Sequence, residues 1–218
     1  MTVTVAGPPQ LAVSHPGQLL ALDGVSIDGA AYRDVVALAD RSPGWLDALV
    51  SVWSAYGLLV FAVLMVAGWW RARRVDAVAA VTALSVPATV TAAYGVDAVL
   101  KLLVHEQRPC RSLAVKTLEA CPAPSDWSFP SNHAAVAAAS AVALLFVSRR
   151  LGAWAVAAAL AMAASRVWVG VHYPHDVLAG LAVGAAVAFG LMTLIRRWAQ
   201  PLVRLLTGTR LSLLLALS

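Results

Sequence analysis

The sequence predicts an all-α integral membrane protein, a helical bundle of about five to six transmembrane helices with an N-terminal amphipathic helix. Of its 218 residues, 61% are hydrophobic and only 12% are charged, whereas a soluble domain carries about 25% charged residues. Several apolar runs also reach the length of about 18 residues that crosses a bilayer as a helix. Together these observations argue against a soluble globular protein.

Three regions are expected along the chain. Residues 1–28 are predicted to form a flexible N-terminus, residues 29–198 a membrane-embedded domain, and residues 199–218 a C-terminal interfacial tail. Residues 1–22 lack a basic segment followed by an uninterrupted apolar core, so no cleavable signal peptide is predicted. The helical spacing of apolar residues from Ala30 to Asp40 predicts an amphipathic helix lying in the membrane interface.

Five apolar runs are predicted to span the membrane, and their residues are 48–70, 77–104, 133–148, 151–171 and 177–195. Pro87 predicts a kink in the second run, because proline removes one helical hydrogen bond. The leucine-rich stretch from Leu202 to Leu217, which contains two arginines, is interpreted as an interfacial helix and not as a sixth span, since it has only 16 residues.

The arginine clusters predict the orientation of these spans. Clusters at 71–74, 149–150 and 196–197 fall on one side of the membrane if the five runs alternate in direction, and that side should be cytoplasmic. The connection 105–132 and the turn 165–176 then lie together on the extracytoplasmic face, as does the N-terminus. The net charge of +5 is therefore interpreted as a topology signal, and no nucleic-acid partner is predicted.

Three polar groups converge on this predicted outer face, and their residues are Lys101 and Arg108, then Ser131, Asn132 and His133, then Arg166, His172 and Asp176. Cations facing one pocket suit a phosphate or diphosphate, whose oxygens they bind through charge-assisted hydrogen bonds. Ser131 precedes a helix, where free backbone N–H groups also attract an anion.

Two histidines in such a pocket suit phosphoryl transfer. One imidazole can attack phosphorus while the other protonates the leaving oxygen, and these roles require opposite protonation states. Asp176 follows His172 by four residues and can orient that ring across a turn. This scheme requires no cofactor.

These residues resemble the three signature motifs of the type 2 phosphatidic acid phosphatase superfamily, and the matching stretches are Lys101-x6-Arg108-Pro109, Pro130-Ser131-Asn132-His133 and Ser165-Arg166-x5-His172-x3-Asp176. The resemblance implies a metal-independent phosphatase. It implies a phosphohistidine intermediate on His172, with His133 as general acid and Asp176 as partner of His172. The phosphate ligands that it implies are Lys101, Arg108, Ser131 and Arg166.

Asn132 stands where the family usually has glycine. Asparagine tolerates a left-handed backbone better than most residues do, so the loop geometry is expected to survive. We therefore keep Asn132 among the predicted phosphate-binding residues. Its side chain could change how closely the backbone approaches the phosphate, and with that the choice of substrate.

Residues 39–47, followed by Tyr56-Gly57, are similar to the bacitracin-resistance type of undecaprenyl-diphosphate phosphatase. The resemblance implies hydrolysis of a polyprenyl diphosphate to the monophosphate, which recycles the lipid carrier of cell-wall synthesis. Phosphatidic acid, phosphatidylglycerophosphate and decaprenylphosphoryl-ribose phosphate remain alternative substrates.

Two other classes of protein were weighed against a membrane phosphatase. A lipid or anion transporter could use the same cations, but it would not need a nucleophile beside an orienting carboxylate. A soluble vanadium haloperoxidase, which belongs to the same superfamily, is disfavoured by the predicted spans. The sequence predicts a membrane protein with a lipid phosphate substrate and leaves its oligomeric state open.

Several nearby residues carry weaker expectations. Asp97 precedes Lys101 by four residues, which predicts an ion pair within one helix. His175 is expected to play an interfacial or supporting role. A zinc site formed by His133, His172, His175 and Asp176 is disfavoured, because no ligand spacing typical of zinc is present. The aromatic residues Trp127, Trp168 and Tyr173 are interpreted as an interfacial belt, or as contacts to a lipid substrate.

Cys110 and Cys121 are the only cysteines, and both fall in the predicted outer connection. An oxidising compartment favours a disulfide between them over two free thiols. Such a bond would clamp the loop beside Arg108 and contribute about 3 kcal/mol.

Overall fold

The computed structural model describes residues 22–113, 115–208 and 215, and this part of the chain contains helices and no β-strand. The predicted flexibility of residues 1–21 lies outside the described residues, as do residues 209–214 and 216–218 of the predicted C-terminal tail. Eight helices occur in the described part: α1 Gly24–Asp40, α2 Gly44–Tyr56, α3 Leu58–Ala72, α4 Ala77–Leu103, α5 Pro109–Ser112, α6 Asn132–Val147, α7 Arg149–Trp168 and α8 Pro174–Thr207.

The chain is a multi-pass membrane protein built as an all-α helical bundle. Among the described residues, α4, α7 and α8 are each long and apolar enough to cross a bilayer. The pair α2 and α3 passes the same test when it is counted as one broken span. Helix α6 is apolar but has only 16 residues, which is below that length.

The first predicted span is interrupted at Gly57. The sequence predicts one helix over 48–70, but α2 and α3 meet there at an angle of 54°. A Cβ atom at this glycine would lie 2.5 Å from the carbonyl oxygen of Trp53 and 2.8 Å from Cε of Met162. The bend therefore requires glycine, and it lets α2 lean against α7.

Helix α6 occupies the centre of the bundle, in contact with α3, α4, α7 and α8. Its buried face consists mainly of alanines, which let neighbouring backbones approach closely. On α8, a Cβ atom at Gly180 would lie 2.5 Å from the carbonyl oxygen of Ser131, and one at Gly184 would lie 2.1 Å from that of Ala135. This close contact sets the N-terminal end of α6 beside the N-terminal end of α8.

The N-terminal helix begins earlier than predicted and packs against the bundle. Asp23 caps α1 by accepting a hydrogen bond from the N–H of Val25 at 3.2 Å. The helix therefore includes residues 24–28, which were expected to be flexible. Its buried residues Tyr32 and Val36 join a core cluster with Tyr173.

Helix α8 continues through Pro201 to Thr207 without a break at residue 199, where the sequence predicts the tail to begin. Leu202 and Val203 pack against a buried cluster that contains Ala80 and Val81 of α4. The first residues of the expected tail therefore extend the bundle.

Candidate active site

The turn between α7 and α8 is shaped by Gly170. Its φ of +86° is a left-handed conformation that favours glycine, and a Cβ atom there would lie 2.5 Å from Cγ2 of Thr117. The buried hydroxyl of Tyr32 donates a hydrogen bond to the carbonyl oxygen of Gly170 at 2.8 Å. This turn reverses the chain directly after Trp168 and carries His172 inward, where its side chain is 2% exposed.

The start of α8 places Asp176 against His172. Tyr173 is the N-cap residue and Pro174 occupies the first turn, where its fixed φ suits a helix start. Asp176, at the third helical position, accepts hydrogen bonds through Oδ2 from the N–H of Tyr173 at 2.8 Å and from the hydroxyl of Ser128. The same oxygen lies 3.4 Å from Nδ1 of His172.

The partners of His172 define its tautomer. Nη1 of Arg108 lies 3.2 Å from Nε2 of the ring, and a guanidinium can only donate, so Nε2 must accept. Nδ1 therefore carries the proton and points at Asp176. Burial, together with the charges of Arg108 and Lys101, lowers the pKa of His172 to about 3 despite the opposing effect of Asp176. The ring is neutral at physiological pH and holds a lone pair on Nε2.

Two of the predicted phosphate ligands, Lys101 and Arg108, are buried and share one carboxylate. Oδ1 of Asp126 lies 3.1 Å from Nη2 of Arg108 and 3.7 Å from Nζ of Lys101. Backbone carbonyls hold the same cations, because Nε of Arg108 donates to Asp126 and Nζ of Lys101 donates to Trp127, both at 2.9 Å. Burial alone would raise the pKa of Asp126, but the two cations outweigh it and lower that pKa.

The third predicted phosphate ligand, Arg166, also meets a carboxylate. Its Nη1 lies 3.2 Å from Oε2 of Glu119 and donates a hydrogen bond to the hydroxyl of Ser54 on α2. Ser54 in turn donates to Oε1 of Glu119 at 2.6 Å. Nε of Arg166 is buried and has no hydrogen-bond partner within the described part of the chain.

The predicted residues at the start of α6 lie beside the same three cations. Ser131 is the N-cap residue of α6 and donates its backbone N–H to the carbonyl oxygen of Asp176 at 3.0 Å. Its buried hydroxyl, like Oδ1 of Asn132, finds no hydrogen-bond partner among residues 22–113, 115–208 and 215. His133 follows Asn132 on the first turn of α6.

These side chains surround a cavity of about 250 Å³, whose lining residues are Lys101, Arg108, Pro122, Asp126, Asn132, His133, Arg166 and His172. Ser131 and Asp176 lie behind this lining and are fully buried. The structure thus brings all eight predicted catalytic and phosphate-binding residues to one cavity or directly behind it. Three cations, a neutral imidazole whose Nε2 lone pair accepts from Arg108, and a second imidazole suit the binding of a phosphoryl group and, once Arg108 turns to the phosphate, attack on it.

Sequence reasoning missed the carboxylates that face the cations. Asp126 and Glu119 belong to the connection between α5 and α6, which offers no helical periodicity to place them. Both lie between Arg108 and His133 in the chain, which is the one signal that could have indicated a role near the site.

The predicted ion pair between Asp97 and Lys101 does not form. Both carboxylate oxygens of Asp97 are buried without a hydrogen bond in the described part of the chain, whereas Lys101 turns toward Asp126. Tyr173 is also not a belt residue, since it is fully buried and its ring packs 5.5 Å from that of Tyr32. Trp168 donates its indole N–H to Asp47 at 3.1 Å.

The remaining expectations concern the cysteines and a zinc site. The sulfurs of Cys110 and Cys121 are bonded at 2.02 Å and close the loop that carries Glu119. The four residues of the disfavoured zinc site are divided, because His133 and His172 line the cavity while His175 is not in its lining. His175 instead meets Glu106, which the sequence analysis did not single out.

Comparison with known proteins agrees with this geometry. Residues 82–200 match the PAP2 superfamily. The chain is 32% identical over 148 residues to undecaprenyl-diphosphatase BcrC of Bacillus subtilis (strain 168), which covers 66% of this chain and 72% of that protein. It is 41% identical over 69 residues to an undecaprenyl-diphosphatase of Sulfolobus acidocaldarius, or 31% of this chain and 34% of that one.

A third relative carries a different name. Over 96 residues the chain is 38% identical to the decaprenylphosphoryl-5-phosphoribose phosphatase of Mycobacterium tuberculosis, which covers 44% of this chain and 51% of that protein. No solved structure matches the chain significantly.

Proposed function

The chain belongs to the PAP2 superfamily and is a phosphatase, and we propose that it hydrolyses a polyprenyl diphosphate to the monophosphate on the extracytoplasmic face of the membrane. The observation that carries this proposal is the neutral imidazole of His172, held between Arg108 and Asp176 at the wall of a cationic cavity. Two relatives named undecaprenyl-diphosphatase support the choice of substrate.

His172 is the nucleophile in the proposed reaction. The lone pair of Nε2 attacks the terminal phosphorus, and the bond from phosphorus to the bridging oxygen of the lipid diphosphate breaks. Asp176 stabilises the positive charge that develops on the ring, because its Oδ2 faces the proton on Nδ1. The product of this step is a phosphohistidine.

His133 serves as the general acid and then as the base. It lines the same cavity as His172 and takes up a proton when the anionic diphosphate binds beside it. It then gives that proton to the leaving oxygen, which departs as lipid monophosphate. The same imidazole then takes a proton from the water that attacks phosphohistidine, so phosphate is released and both histidines return to their starting states.

The phosphate ligands exchange partners during binding. In the proposed complex, phosphate oxygens replace Asp126 at Lys101 and Arg108, and replace Glu119 at Arg166. The unpartnered Nε of Arg166 and hydroxyl of Ser131 supply further donors. Because all of these interactions come from protein groups, the reaction needs no metal ion.

The substrate assignment can be tested by phosphate release. Protein purified in detergent with EDTA should release phosphate faster from undecaprenyl diphosphate than from phosphatidic acid, phosphatidylglycerophosphate or decaprenylphosphoryl-5-phosphoribose. Higher turnover of the last compound would favour the function named for the mycobacterial relative.

The nucleophile assignment has its own test. His172→Ala should abolish release, while Asp34→Asn, at an exposed position on α1, should not change it. Turnover by His172→Ala comparable with that of the parent protein would refute the mechanism.

The proposed orientation can be tested by labelling in intact cells. Lys116 and Arg74 are both exposed, and in the proposed orientation they lie on opposite faces of the membrane. A cysteine replacing Lys116 should react with a membrane-impermeant maleimide, whereas one replacing Arg74 should react only after the cells are opened. The reverse pattern would move the site to the cytoplasmic face.

A further inference from the structure

Asp176 has a second carboxylate oxygen that the proposed mechanism does not use. Oδ2 accepts hydrogen bonds and faces His172. Oδ1 is buried and has no hydrogen-bond donor in the described part of the chain as long as Glu106 is ionised. The nearest cation to Oδ1 is the ring of His175, whose Nε2 lies 3.5 Å away.

His175 is held by two further carboxylates. Its Nδ1 lies 2.8 Å from Oδ1 of Asp28, and its backbone N–H donates to Oδ2 of the same residue at 2.7 Å. Its Nε2 lies 3.0 Å and 3.1 Å from the two oxygens of Glu106. Since both ring nitrogens face carboxyl oxygens, His175 is fixed in place between α1 and the chain that follows α4.

Glu106 is fully buried beside Asp176. Atoms of Glu106, His175 and Asp176 that could serve as ligands lie within 4.8 Å of one another. The backbone of Gly24 seals this pocket, since a Cβ atom there would lie 2.2 Å from Oε1 of Glu106. Two carboxyl groups this close in one water-excluded site repel each other when both are ionised, which favours a proton held between them even beside the ring of His175.

We propose that Glu106 is a positioning residue, a neutral carboxylic acid that donates a hydrogen bond to Oδ1 of Asp176 and so keeps Oδ2 directed at His172. His175 and Asp28 hold Glu106 at this position. The inference rests on the proposed function, because it acts through the partner of the nucleophile.

The ionisation of Glu106 supports this arrangement. Burial, opposed by the hydrogen bond from His175, raises the pKa of Glu106 to about 7, and the charge of Asp176 acts in the same direction as burial. The groups that face Glu106 are His175 and Asp176 from α8, Tyr173 before it, and Asp28 from α1 through His175. Above about pH 7, Glu106 loses its proton and Asp176 loses its donor.

Two variants of Glu106 separate hydrogen bonding from charge. Glu106→Ala removes the donor, so kcat should fall by about tenfold with little change in KM, as expected when one hydrogen bond to a charged group is lost. Glu106→Gln keeps an N–H donor and cannot ionise. It should recover most of that kcat, and the decline of kcat above pH 7 in the parent protein should be absent.

The parent protein and Glu106→Gln are compared on one substrate, so the ionisation of the substrate phosphate is common to both pH profiles. Equal losses in Glu106→Ala and Glu106→Gln would overturn the proposal, because they would show that the charge of Glu106 is required. An unchanged decline above pH 7 in Glu106→Gln would overturn it as well. If Glu106→Ala does not fold, the pH profile of Glu106→Gln decides alone.

Two controls identify which idea has failed. If His172→Ala retains turnover, the proposed function fails, whereas an inactive His172→Ala beside a fully active Glu106→Ala refutes only the role of Glu106. Elemental analysis of the purified protein tests the competing arrangement. A stoichiometric metal ion would make Glu106, His175 and Asp176 a ligand set and would overturn the shared proton.

Discussion

Asp126→Asn should tighten substrate binding, because Asp126 forms ion pairs with Lys101 and Arg108, the cations that we propose bind the phosphate. Its Oδ1 lies 3.1 Å from Nη2 of Arg108 and 3.7 Å from Nζ of Lys101. The substituted amide keeps the shape of the side chain but loses its charge. Both cations stay in place, because the carbonyls of residues 126 and 127 still accept hydrogen bonds from them.

The expected change in KM is small because the side chain of Asp126 is partly exposed to solvent. The side chain of Asp126 is 47% exposed, and an ion pair of this kind contributes about 0.2–1 kcal/mol. Two such pairs sum to about 1 kcal/mol, which lowers KM by about fivefold. Salt screens exposed charges, so the gain should shrink at high ionic strength.

Initial rates of phosphate release over a range of undecaprenyl diphosphate concentrations measure KM and kcat for both proteins. Asp34→Asn serves as the matched control, because it removes one exposed carboxylate on α1 and should leave KM unchanged. A KM that rises in Asp126→Asn would refute the reasoning, since it would mean that Asp126 organises the cations and does not compete with the phosphate.

Three further predictions concern stability. Gly184→Ala should destabilise the protein by about 1–3 kcal/mol or more, because its Cβ would lie 2.1 Å from a backbone oxygen of α6. Gly190→Ala should not destabilise it, because the space around Gly190 is open. Thermal unfolding in detergent compares the two variants. Reducing the bond between Cys110 and Cys121 should cost about 3 kcal/mol by the chain-entropy relation, which unfolding with and without reductant would show. Tyr32→Phe removes a buried hydrogen bond to the turn before His172 and should lower the free energy of unfolding by about 1–3 kcal/mol in the same assay. A change below about 0.5 kcal/mol would show that the bond is dispensable.

The structure brings the predicted site residues together, but it gives some of them other partners than the sequence predicted. His172 and Asp176 are four residues apart across a helix start, so their contact depends on local geometry that the sequence contains. Lys101 was paired with Asp97 by the rule for neighbours on one helix. The structure pairs it with Asp126, because a loop folds over the cavity and no local pattern reports that approach.

The helices show the same division between local and long-range information. The apolar runs that became α4 and α7 were found within a few residues of their ends. The break at Gly57 was missed, since a glycine within an apolar run is compatible with a continuous helix. At this glycine the chain also approaches Met162, a residue more than a hundred positions away, and no local pattern reports that contact. The same limitation hid the burial of Tyr173, which depends on the packing of α1.

Asp176 connects the fold to the chemistry more directly than any other residue in the site. Its Oδ2 accepts the N–H of Tyr173, which begins α8, and faces the proton of His172. Its backbone carbonyl holds Ser131 at the start of α6. The contacts that start α8 and hold the start of α6 therefore also orient the ring of His172. For this reason the proposed donor Glu106, which faces the other oxygen of that carboxylate, would affect catalysis without touching the substrate.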